Sequence, residues 1–556
     1  MRSPLGGSRE GFVHVPVLIV GGGPAGLCAS ILLSRHGVRS LLVERRRDVL
    51  AHPRARSINA RSAEIFRGFG LFERLRELSL PPEWTREIIY TRTLAGRELG
   101  RVGTGGFDSA NTGISPTAPL MSTQDRLEPL LRERARAEEH ADVRFGVRLD
   151  CFEVTDGKVD ATIVNDDAGL AEDVRADYLV AADGAASPIR DHLGITLDGH
   201  LGLASVIDVY FRADLARWVA ERPAPLYWVA AGEVNGVFQP PDGKREWRCQ
   251  IAYDADRDVP DDFTSQRCTD WIRAAVGTRS LDIDILSVRP WTMHSAVAAR
   301  LRHGPVFLAG DAAHILPPTG GFGMNTGVQG VHNLAWKLAG VVRGWADASL
   351  LDTYEEERAP VATYNAQRSL ENSIAVVQIN QAAREGGDVA GSLASARRYG
   401  NFIGMDLGFA YDSHAIVADG SAAPEVADPV AEYVPTARPG HRAPHVVLER
   451  SGTQLSTLDL FDRQFTLLAG PRGTRWTDAA ASAGAAAGVP LQAFRIGAGG
   501  DLGDPTGGWL ELYGLQPDGA VLVRPDWHVA WRSATGDARP RDVLARVLAQ
   551  VPGRSS

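Results

Sequence analysis

The residues best suited to carry chemistry lie in one stretch, 306–338, where an apolar run passes into a polar turn. Residues 306–309 are predicted to form a short buried strand. Asp311 follows that strand, and a carboxylate there can accept hydrogen bonds from hydroxyl groups. An amphipathic helix is expected to begin near Thr326, and the positive end of its dipole favours negative charge on a ligand. Between strand and helix lie three glycines that let backbone N–H groups approach a flat, polar ligand closely: Gly320, Gly321 and Gly323.

A second glycine-rich turn lies far upstream, between two predicted strands. Residues 15–20 form an apolar, Val/Ile-rich run, and residues 40–44 form another that ends in an acid. Between them come a G-x-G-x-x-G pattern and a helix of small residues, which is the order of a Rossmann-type unit. The glycines permit the tight turn, close approach to a pyrophosphate and helix–strand packing, while the acid is placed to bind ribose hydroxyls. This order favours FAD over a freely exchanging nicotinamide, with predicted contacts at Gly21, Gly23, Pro24, Ala25, Gly26, Glu44 and Arg45.

A third predicted strand ends in the same type of turn. Residues 177–182 are apolar enough for a buried strand, which delivers Asp183 and Gly184 at its carboxyl end. Ligands of open parallel sheets gather at the carboxyl ends of the strands. The three ends, at Gly21, Asp183 and Asp311, therefore predict one cleft to which all contribute. Loss of FAD is the expected result of Asp311→Ala.

The three motifs together resemble those of the class A FAD-dependent aromatic hydroxylases, which include para-hydroxybenzoate hydroxylase and phenol hydroxylase. The resemblance covers nearly the whole chain and is strongest to the branch that tailors aromatic polyketides. Arg54 matches an arginine beside the cofactor, and Gln124 matches a glutamine near the flavin diphosphate. The chain departs from the pattern at Gly330, where relatives often carry an acid. By this resemblance the second FAD motif, which begins at Gly310, includes Asp311, Gly323, Met324 and Asn325.

The resemblance also implies a reaction. The sequence has one dinucleotide fingerprint and no second Rossmann unit, so NADPH or NADH is expected to bind transiently, over a flavin that moves. In the family, the Asp183-Gly184 motif serves both FAD and NAD(P)H. Reduced FAD then reacts with O₂ to give a C4a-hydroperoxide, which hydroxylates a phenolate-activated ring. The implied function is hydroxylation of a polycyclic aromatic polyketide, with Pro318 and Gly321 beside the reacting position.

Two alternatives to hydroxylation remain. Some polyketide-tailoring relatives use the same flavin chemistry for Baeyer–Villiger insertion or oxidative ring opening, and no motif separates these outcomes. The more remote alternative is a non-catalytic flavin-binding protein, whose cofactor NADPH would not reduce even when aromatic ligands are supplied.

Candidate acid–base and substrate residues are suggested by position alone. His52 precedes the Arg54 turn and His294 ends the strand-like run VRPWTMH, and each is either a catalytic or a structural histidine. Arg56 could pair a phenolate or bind FAD. Aromatic residues of the strand-like runs could stack on a polycyclic substrate, although alternation along a strand turns about half of such residues into the core: Tyr227, Trp228, Phe238 and Trp291.

Composition limits the partners. The chain has 556 residues, too many for one domain, with 44% apolar and 23% charged residues, which is ordinary for a globular protein. A formal net charge of −9 disfavours nucleic acid and anionic membrane, and no apolar run is long enough to span a bilayer. The four cysteines are scattered without metal-ligand spacing, which predicts no metal site and a cytoplasmic location. A monomer or a homodimer is expected.

The candidate residues must be positioned by strands and helices, and the sequence predicts that these form an α/β fold in three parts. The resemblance implies a Rossmann-like FAD-binding domain of the para-hydroxybenzoate hydroxylase type, an inserted antiparallel-sheet substrate domain and a C-terminal thioredoxin-like domain. Since no cysteine follows Cys268, the last domain is expected to be structural or oligomeric rather than redox-active. The expected bounds are 12–195 and 295–400 for the FAD-binding domain, 196–294 for the substrate sheet, 401–443 for a linker and 444–556 for the thioredoxin-like domain.

Overall fold

Two eight-stranded sheets and one four-stranded sheet organise the computed structural model, which describes residues 13–105, 113–231, 234–385, 387–395 and 400–554. Two further pairs of strands complete the β-structure. The strands are β1 Val13–Val20, β2 Ser40–Glu44, β3 Ser57–Ile58, β4 Glu87–Thr91, β5 Glu98–Gly103, β6 Leu120–Met121, β7 Ala141–Phe145, β8 Val147–Thr155, β9 Lys158–Asn165, β10 Leu170–Ala181, β11 Leu197–Arg212, β12 Tyr227–Ala231, β13 Val234–Gln239, β14 Glu246–Tyr253, β15 Asp284–Ala298, β16 Arg302–His303, β17 Val306–Leu308, β18 His314–Ile315, β19 Val447–Arg450, β20 Thr453–Ser456, β21 Phe465–Ala469, β22 Leu491–Arg495, β23 Ala520–Val523 and β24 Val529–Ser533.

Helices pack against all three of the larger sheets. Within the described ranges, none is long and apolar enough to cross a membrane. The α-helices are α1 Pro24–Arg35, α2 Ala60–Gly68, α3 Phe72–Glu77, α4 Gln124–Arg136, α5 Pro188–His192, α6 Ala216–Val219, α7 Ser265–Val276, α8 Phe322–Val342, α9 Thr353–Glu385, α10 Val389–Ser395, α11 Ile403–Leu407, α12 Thr474–Ala487, α13 Trp509–Tyr513 and α14 Pro540–Gln550. Short 3₁₀ turns lie at Pro82–Trp84, Pro260–Asp262, Gly310–Ala312, Ala348–Asp352 and Thr457–Leu460.

The first sheet brings several strand ends to one edge. Its order is β16-β17-β10-β1-β2-β7, and the strands from β17 to β7 are parallel. The apolar run of β1 is fully buried at Val17, Leu18 and Ile19, as expected for a parallel strand covered on both faces. Because parallel strands end at the same edge, the turns that follow β17, β10, β1 and β2 are neighbours.

The second sheet is antiparallel except at one pair, and it is larger than the predicted insert. Its order is β18-β15-β11-β14-β13-β12-β4-β5, with β12 and β4 parallel. The strands at its two ends, β18 and the β4–β5 hairpin, lie outside residues 196–294. The predicted bounds missed them, because a hairpin of five and six residues carries no local sign of the sheet it will join.

One face of the second sheet packs against helix α7 in an apolar core. Tyr227, Phe238, Trp247 and Cys249 are fully buried there and contact the α7 side through Ile272 and its neighbours. Alternation along each strand turns the intervening residues to the opposite face. That opposite face looks toward the first sheet.

The segment predicted as a linker, 401–443, is packed rather than extended. Phe402, Ile403, Met405 and Leu407 are buried around helix α11, which contacts helix α2. The Pro, Arg and Gly residues of this segment had suggested a loose connection. Its apolar residues instead belong to buried clusters with the β4–β5 hairpin and with α2.

The C-terminal sheet has the strand order β22-β21-β23-β24, with β21 and β22 parallel and the other pairs antiparallel. Helix α12 makes the crossover between the parallel strands and packs against α14. This is the topology of a thioredoxin-like domain, as the sequence predicted. Since every cysteine of the chain lies at or before Cys268, the domain has no dithiol.

Candidate active site

A cavity of about 620 Å³ lies between the carboxyl edge of the first sheet and the α7-distal face of the second. The turns after β1, β10 and β17 all contribute to its wall, through Gly21, Asp183 and Asp311. The three predicted strand ends, far apart in the chain, therefore meet at one space.

The glycine fingerprint has the geometry that each glycine was expected to provide. Gly21 has φ +113°, and a Cβ added there would lie 2.1 Å from the carbonyl oxygen of Ala182. At Gly26, an added Cβ would lie 2.0 Å from the carbonyl oxygen of Gly21, because α1 packs directly on the turn. At Gly23 an added Cβ would meet nothing within 4 Å. Gly23, with Pro24 and Ala25, faces the cavity at the beginning of α1.

Glu44 ends β2 as an ionised carboxylate in the cavity wall. It accepts hydrogen bonds from the backbone N–H of Gly22 at 2.6 Å and from the backbone and Nε of Arg46, each at 2.9 Å. Burial acts to raise the pKa of Glu44, but these hydrogen bonds outweigh it and lower the pKa below its ordinary value. Glu44 and Arg45 both line the cavity, so this strand end offers acceptor and donor groups to a polar ligand.

Asp183 is held by the short helix that follows it. Its Oδ1 accepts from the hydroxyl of Ser187 at 2.6 Å and its Oδ2 from the N–H of Ile189 at 3.2 Å. Burial raises the pKa of the Asp183 carboxyl, against these hydrogen bonds. Gly184 beside it has φ +94° and also lines the cavity.

Asp311 is exposed, but the surface that it exposes is cavity wall. The surrounding protein raises the pKa of its carboxyl, and the positive charge of Arg54 opposes this shift. Arg190 links the two acidic turns, since its Nη1 donates to the carbonyl of Ala312 at 3.3 Å.

Helix α8 presents its N-terminus to the cavity, and it begins at Phe322, a turn earlier than the predicted Thr326. Gly321 is its N-cap with φ +70°, and a Cβ added there would lie 2.5 Å from the Cβ of Ser57. The glycines that were predicted to form a free loop therefore start the helix. Pro318 and Gly321 both line the cavity, and their catalytic role stays a prediction.

The prolines before α8 are fixed from behind by helix α9. The hydroxyl of Ser369 lies 2.7 Å from the carbonyl of Pro317 and 2.8 Å from that of Thr319. The Thr319 hydroxyl in turn donates to the carbonyl of Ser369 at 2.7 Å. These bonds hold the backbone of the Pro317–Pro318 wall in place.

Of the other predicted FAD contacts in α8, two line the cavity and one does not. Gly323 and Met324 line the cavity, and a Cβ added at Gly323 would meet nothing within 4 Å. Asn325 is buried and absent from the lining. Its Nδ2 donates to the carbonyl of Ser57 at 2.9 Å, and its Oδ1 accepts from the N–H of Asn59 at 3.1 Å. Asn325 thus positions the neighbouring strand β3.

Arg54, Arg56 and Gln124 line the cavity as well. The backbone N–H of Gln124 donates to the carbonyl of Ala55 at 2.7 Å, which joins the arginine turn to the start of α4. Arg56 donates from Nη1 to the carbonyl of Pro225 at 2.5 Å, so it bridges to the second sheet.

One of the four residues predicted to form the aromatic wall lines the cavity, and the other three do not. Tyr227 and Phe238 are fully buried in the core against α7, on the face opposite the cavity. Trp291, on β15, is absent from the cavity lining. Trp228 does line the cavity, because alternation turns it away from its buried neighbour Tyr227.

Neither candidate histidine lines the cavity. His52 is buried, with Nδ1 2.6 Å from the Ser287 hydroxyl and Nε2 3.5 Å from Oδ1 of Asp208. His294 accepts from the backbone N–H of Gly202 at 3.0 Å through Nδ1. The protein holds each ring through Nδ1, and a catalytic role of either histidine stays a prediction.

Sequence reasoning missed most of the substrate-side wall. The missed lining residues come from the second sheet, from the short strand β6 and from segments next to strands and helices: Ile88, Thr104, Met121, Leu226, Gln239, Arg248, Gln250, Leu316 and Phe402. The sequence contains one signal for these residues, the alternation of residues 246–253. In the run EWRCQIAY, polar residues alternate with apolar ones, and the polar set is the one that faces the cavity.

The donor set fits FAD. Two helices, α1 and α8, direct their N-termini at the cavity, where the dipole and free N–H groups favour anionic groups such as a pyrophosphate. Gly23 and Gly323 leave open faces in the wall, and the ionised Glu44 can accept from ribose hydroxyls. The parallel sheet and this site define a flavoprotein with a Rossmann-type dinucleotide site.

Comparison with known proteins places the chain in a family. The FAD binding domain family matches residues 14–369, and the aromatic-ring hydroxylase C-terminal family matches residues 436–555. The chain belongs to the FAD-dependent aromatic-ring hydroxylases and is a flavoprotein monooxygenase, which confirms the predicted family, fold and FAD cofactor.

Individual relatives match over almost their full length. The tetracenomycin A2 monooxygenase-dioxygenase of Streptomyces glaucescens is 38% identical, over 97% of this chain and 98% of that protein. The crystal structure of the flavin-dependent monooxygenase PieE with FAD and substrate has a TM-score of 0.91 at 36% identity, covering 98% of this chain and 100% of that one. The ternary complex of aklavinone-11 hydroxylase with FAD and aklavinone has a TM-score of 0.84 at 36% identity, covering 97% and 99%.

Proposed function

We propose that the protein hydroxylates a polycyclic aromatic polyketide, with NADPH or NADH as electron donor and O₂ as the oxygen source. The observation that carries the proposal is that one cavity is lined by both the FAD-binding turns and the inner face of the second sheet. Cofactor and substrate would therefore share one space. The relatives named for tetracenomycin and aklavinone support a fused-ring substrate.

The cofactor and the residues around the cavity have different roles in the proposed reaction. Bound FAD supplies hydride acceptance and the activation of O₂. The N-terminal N–H groups of α8 stabilise negative charge beside the cavity, and Ser369 keeps the Pro317–Pro318 wall rigid. Apolar side chains on the substrate side, among them Leu226, Trp228 and Phe402, exclude water from the reacting groups.

The proposal also covers the cellular location, the oligomeric state and the partners of the protein. We infer a cytoplasmic enzyme, because four free cysteines without pairing suit a reducing compartment. A monomer or a homodimer acting on a small molecule, without nucleic acid or membrane as a partner, is consistent with the net charge of −9.

Anaerobic stopped-flow reduction tests the proposal directly. The purified protein, incubated with FAD, is expected to be yellow and to be reduced by NADPH faster when phenolic or quinonoid polycycles are present. NMR of the aerobic product then locates the added oxygen. An oxygen inserted into a ring bond would identify the Baeyer–Villiger outcome, and a flavin that no nicotinamide reduces would identify a non-catalytic protein. Protein that stays colourless with FAD would refute the function.

A further inference from the structure

Four polar residues form a cross-strand cluster on the cavity side of the second sheet. Gln239 of β13 is paired with Arg248 of β14, and Asp208 of β11 is paired with Gln250 of β14. All four therefore point to one face, and Gln239, Arg248 and Gln250 line the cavity. The cluster places polar groups beside the apolar side chains of Leu226 and Trp228.

The charges within the cluster are matched internally. Arg248 Nε lies 2.7 Å from both carboxylate oxygens of Asp208, and its Nη2 also donates to that carboxylate. Burial acts to raise the pKa of Asp208, but the charge and the hydrogen bonds of Arg248 outweigh it and lower the pKa. Asp208 stays ionised, so the guanidinium and carboxylate neutralise each other. His52 is the other titratable group that contacts this pair, at 3.5 Å from Asp208.

This pair fixes the direction of both amides. Gln239 lies 3.0 Å from Arg248 Nη1 through its Oε1, and because a guanidinium only donates, the amide must present its oxygen there. Gln250 lies 3.5 Å from Asp208 through its Nε2, and because an ionised carboxylate only accepts, the amide must present its nitrogen there. Gln239 Nε2 and Gln250 Oε1 are the atoms left over.

The leftover atoms have no partner among the described residues, and both side chains open on the cavity. One is an obligate donor and the other an obligate acceptor. Gln239 and Gln250 occupy diagonal positions on neighbouring strands, close enough for two long side chains to contact the same ligand. Trp228 and Leu226 flank them with flat, apolar surface.

We propose that Gln239 and Gln250 form a subsite for the oxygenated edge of the substrate. Gln239 Nε2 donates to a carbonyl oxygen, and Gln250 Oε1 accepts from a hydroxyl on the same edge of a fused-ring compound. Because Arg248 and Asp208 neutralise each other, the two amides favour a neutral hydroxy-ketone or hydroxyquinone edge over a carboxylate. This inference rests on the proposed function, since it concerns the substrate of that same cavity.

Ligand binding tests the subsite without turnover. The probes are 2-hydroxyanthraquinone, whose hydroxyl and carbonyl lie on one edge without bonding each other, and anthraquinone, which lacks the hydroxyl. Dissociation constants are measured on the FAD-loaded protein by quenching of tryptophan fluorescence at mildly acidic pH. The wild-type protein is expected to bind the hydroxylated probe about tenfold more tightly, and Gln250→Leu is expected to bind both probes equally.

The donor is tested by a change that preserves its anchor. Gln239→Glu still accepts from Arg248 but turns an acceptor toward the cavity, and it is expected to weaken binding of both probes about tenfold. Gln454→Glu makes the same change on an exposed strand of the C-terminal domain and should have no effect.

Two readouts keep the subsite and the function apart. FAD content and anaerobic reduction by NADPH report the proposed function in each variant. If the flavin is bound and reduced normally while Gln250→Leu keeps the preference for the hydroxyl, or while the wild-type protein shows none, the subsite is wrong and the function stands. If the wild-type protein does not bind FAD, or if NADPH does not reduce the bound FAD, the proposed function itself fails.

Discussion

At the scale of single residues, Asp311 combines a cavity-facing carboxyl with a position at a strand end. Asp311→Ala is expected to weaken FAD binding about tenfold or more, because a charge-assisted hydrogen bond to the cofactor is lost. The ratio of flavin absorbance to protein after gel filtration measures this. Asp352→Ala, which removes an exposed partner of Arg302, serves as control. Full flavin occupancy in the Asp311 variant would contradict the assignment.

Asp406 makes a pH-dependent contribution to stability. It lines a small side cavity with Asn59 and Gly320, and burial raises the pKa of its carboxyl to about 7, against a hydrogen bond from Asn59. Its pKa in the unfolded chain is about 4. Because the folded pKa is the higher one, ionisation costs stability progressively as pH rises through this window, and the full cost applies above the folded pKa.

The expected result is that Asp406→Asn gains thermal stability relative to the wild type as pH rises from about 5 to about 8. Thermal midpoints at several pH values measure the difference. Asp256→Asn, in an exposed loop, should leave the pH profile unchanged. A constant gap between the Asp406 variant and the wild type across the range would show that the carboxyl does not titrate there.

At the scale of elements, helix α8 approaches the strand end of β17 through one glycine. A Cβ added at Gly327 would lie 3.0 Å from the Cα of Gly310 and 3.6 Å from the Cβ of Ala25. Gly327→Val is therefore expected to push the helix away from both FAD-binding turns and to lower FAD affinity at least tenfold, as measured by flavin fluorescence titration.

Gly330 on the same helix supplies the matched control. An added Cβ there would lie 3.6 Å from the Tyr354 hydroxyl, an ordinary contact distance. Gly330→Ala is expected to keep FAD and to stabilise the helix by up to about 1 kcal/mol, because alanine loses less backbone entropy. Equal FAD loss in the two variants would contradict the close approach at Gly327.

In the second sheet, the sequence pattern predicts the strands but not which of their side chains face the cavity. The runs that form β11 to β14 are predictable, because alternating apolar residues bounded by turns are visible locally. Which alternate set faces the cavity is not, because that depends on where α7 packs. Large aromatic residues gain more free energy from burial in a core than from a position on a cavity wall, so Tyr227 and Phe238 lie against α7.

At the scale of the whole molecule, a buried ionic network joins the C-terminal domain to the FAD-binding helices. Glu357 of α9 accepts from Lys337 of α8 at 2.7 Å and from Arg524, in the turn after β23, at 2.6 and 2.9 Å. Burial acts to raise the pKa of Glu357, but the charges of Arg524 and Lys337 outweigh it and hold the pKa well below its usual value. The domain without cysteines thus contacts the helix that begins at the active site.

Glu357→Gln is expected to destabilise the protein by about 3–5 kcal/mol, since it removes the carboxylate that pairs with buried Lys337 and one of the two that pair with Arg524. Hydrogen exchange should increase first in the C-terminal sheet and in α8. Glu133→Gln, which breaks an exposed pair with Arg74, should cost less than about 1 kcal/mol. Similar exchange patterns in the two variants would refute a joining role for the network.

The sequence by itself determined the glycine turns, the acids at the strand ends and hence the FAD site, because each of these depends on local backbone freedom and on strand order. It also determined the family and the absence of a C-terminal dithiol. Only the tertiary structure decided the substrate side of the cavity. Its residues, from Ile88 on β4 to Phe402 before α11, are distant in the chain, and which side chains meet there follows from how the two sheets and α7 pack.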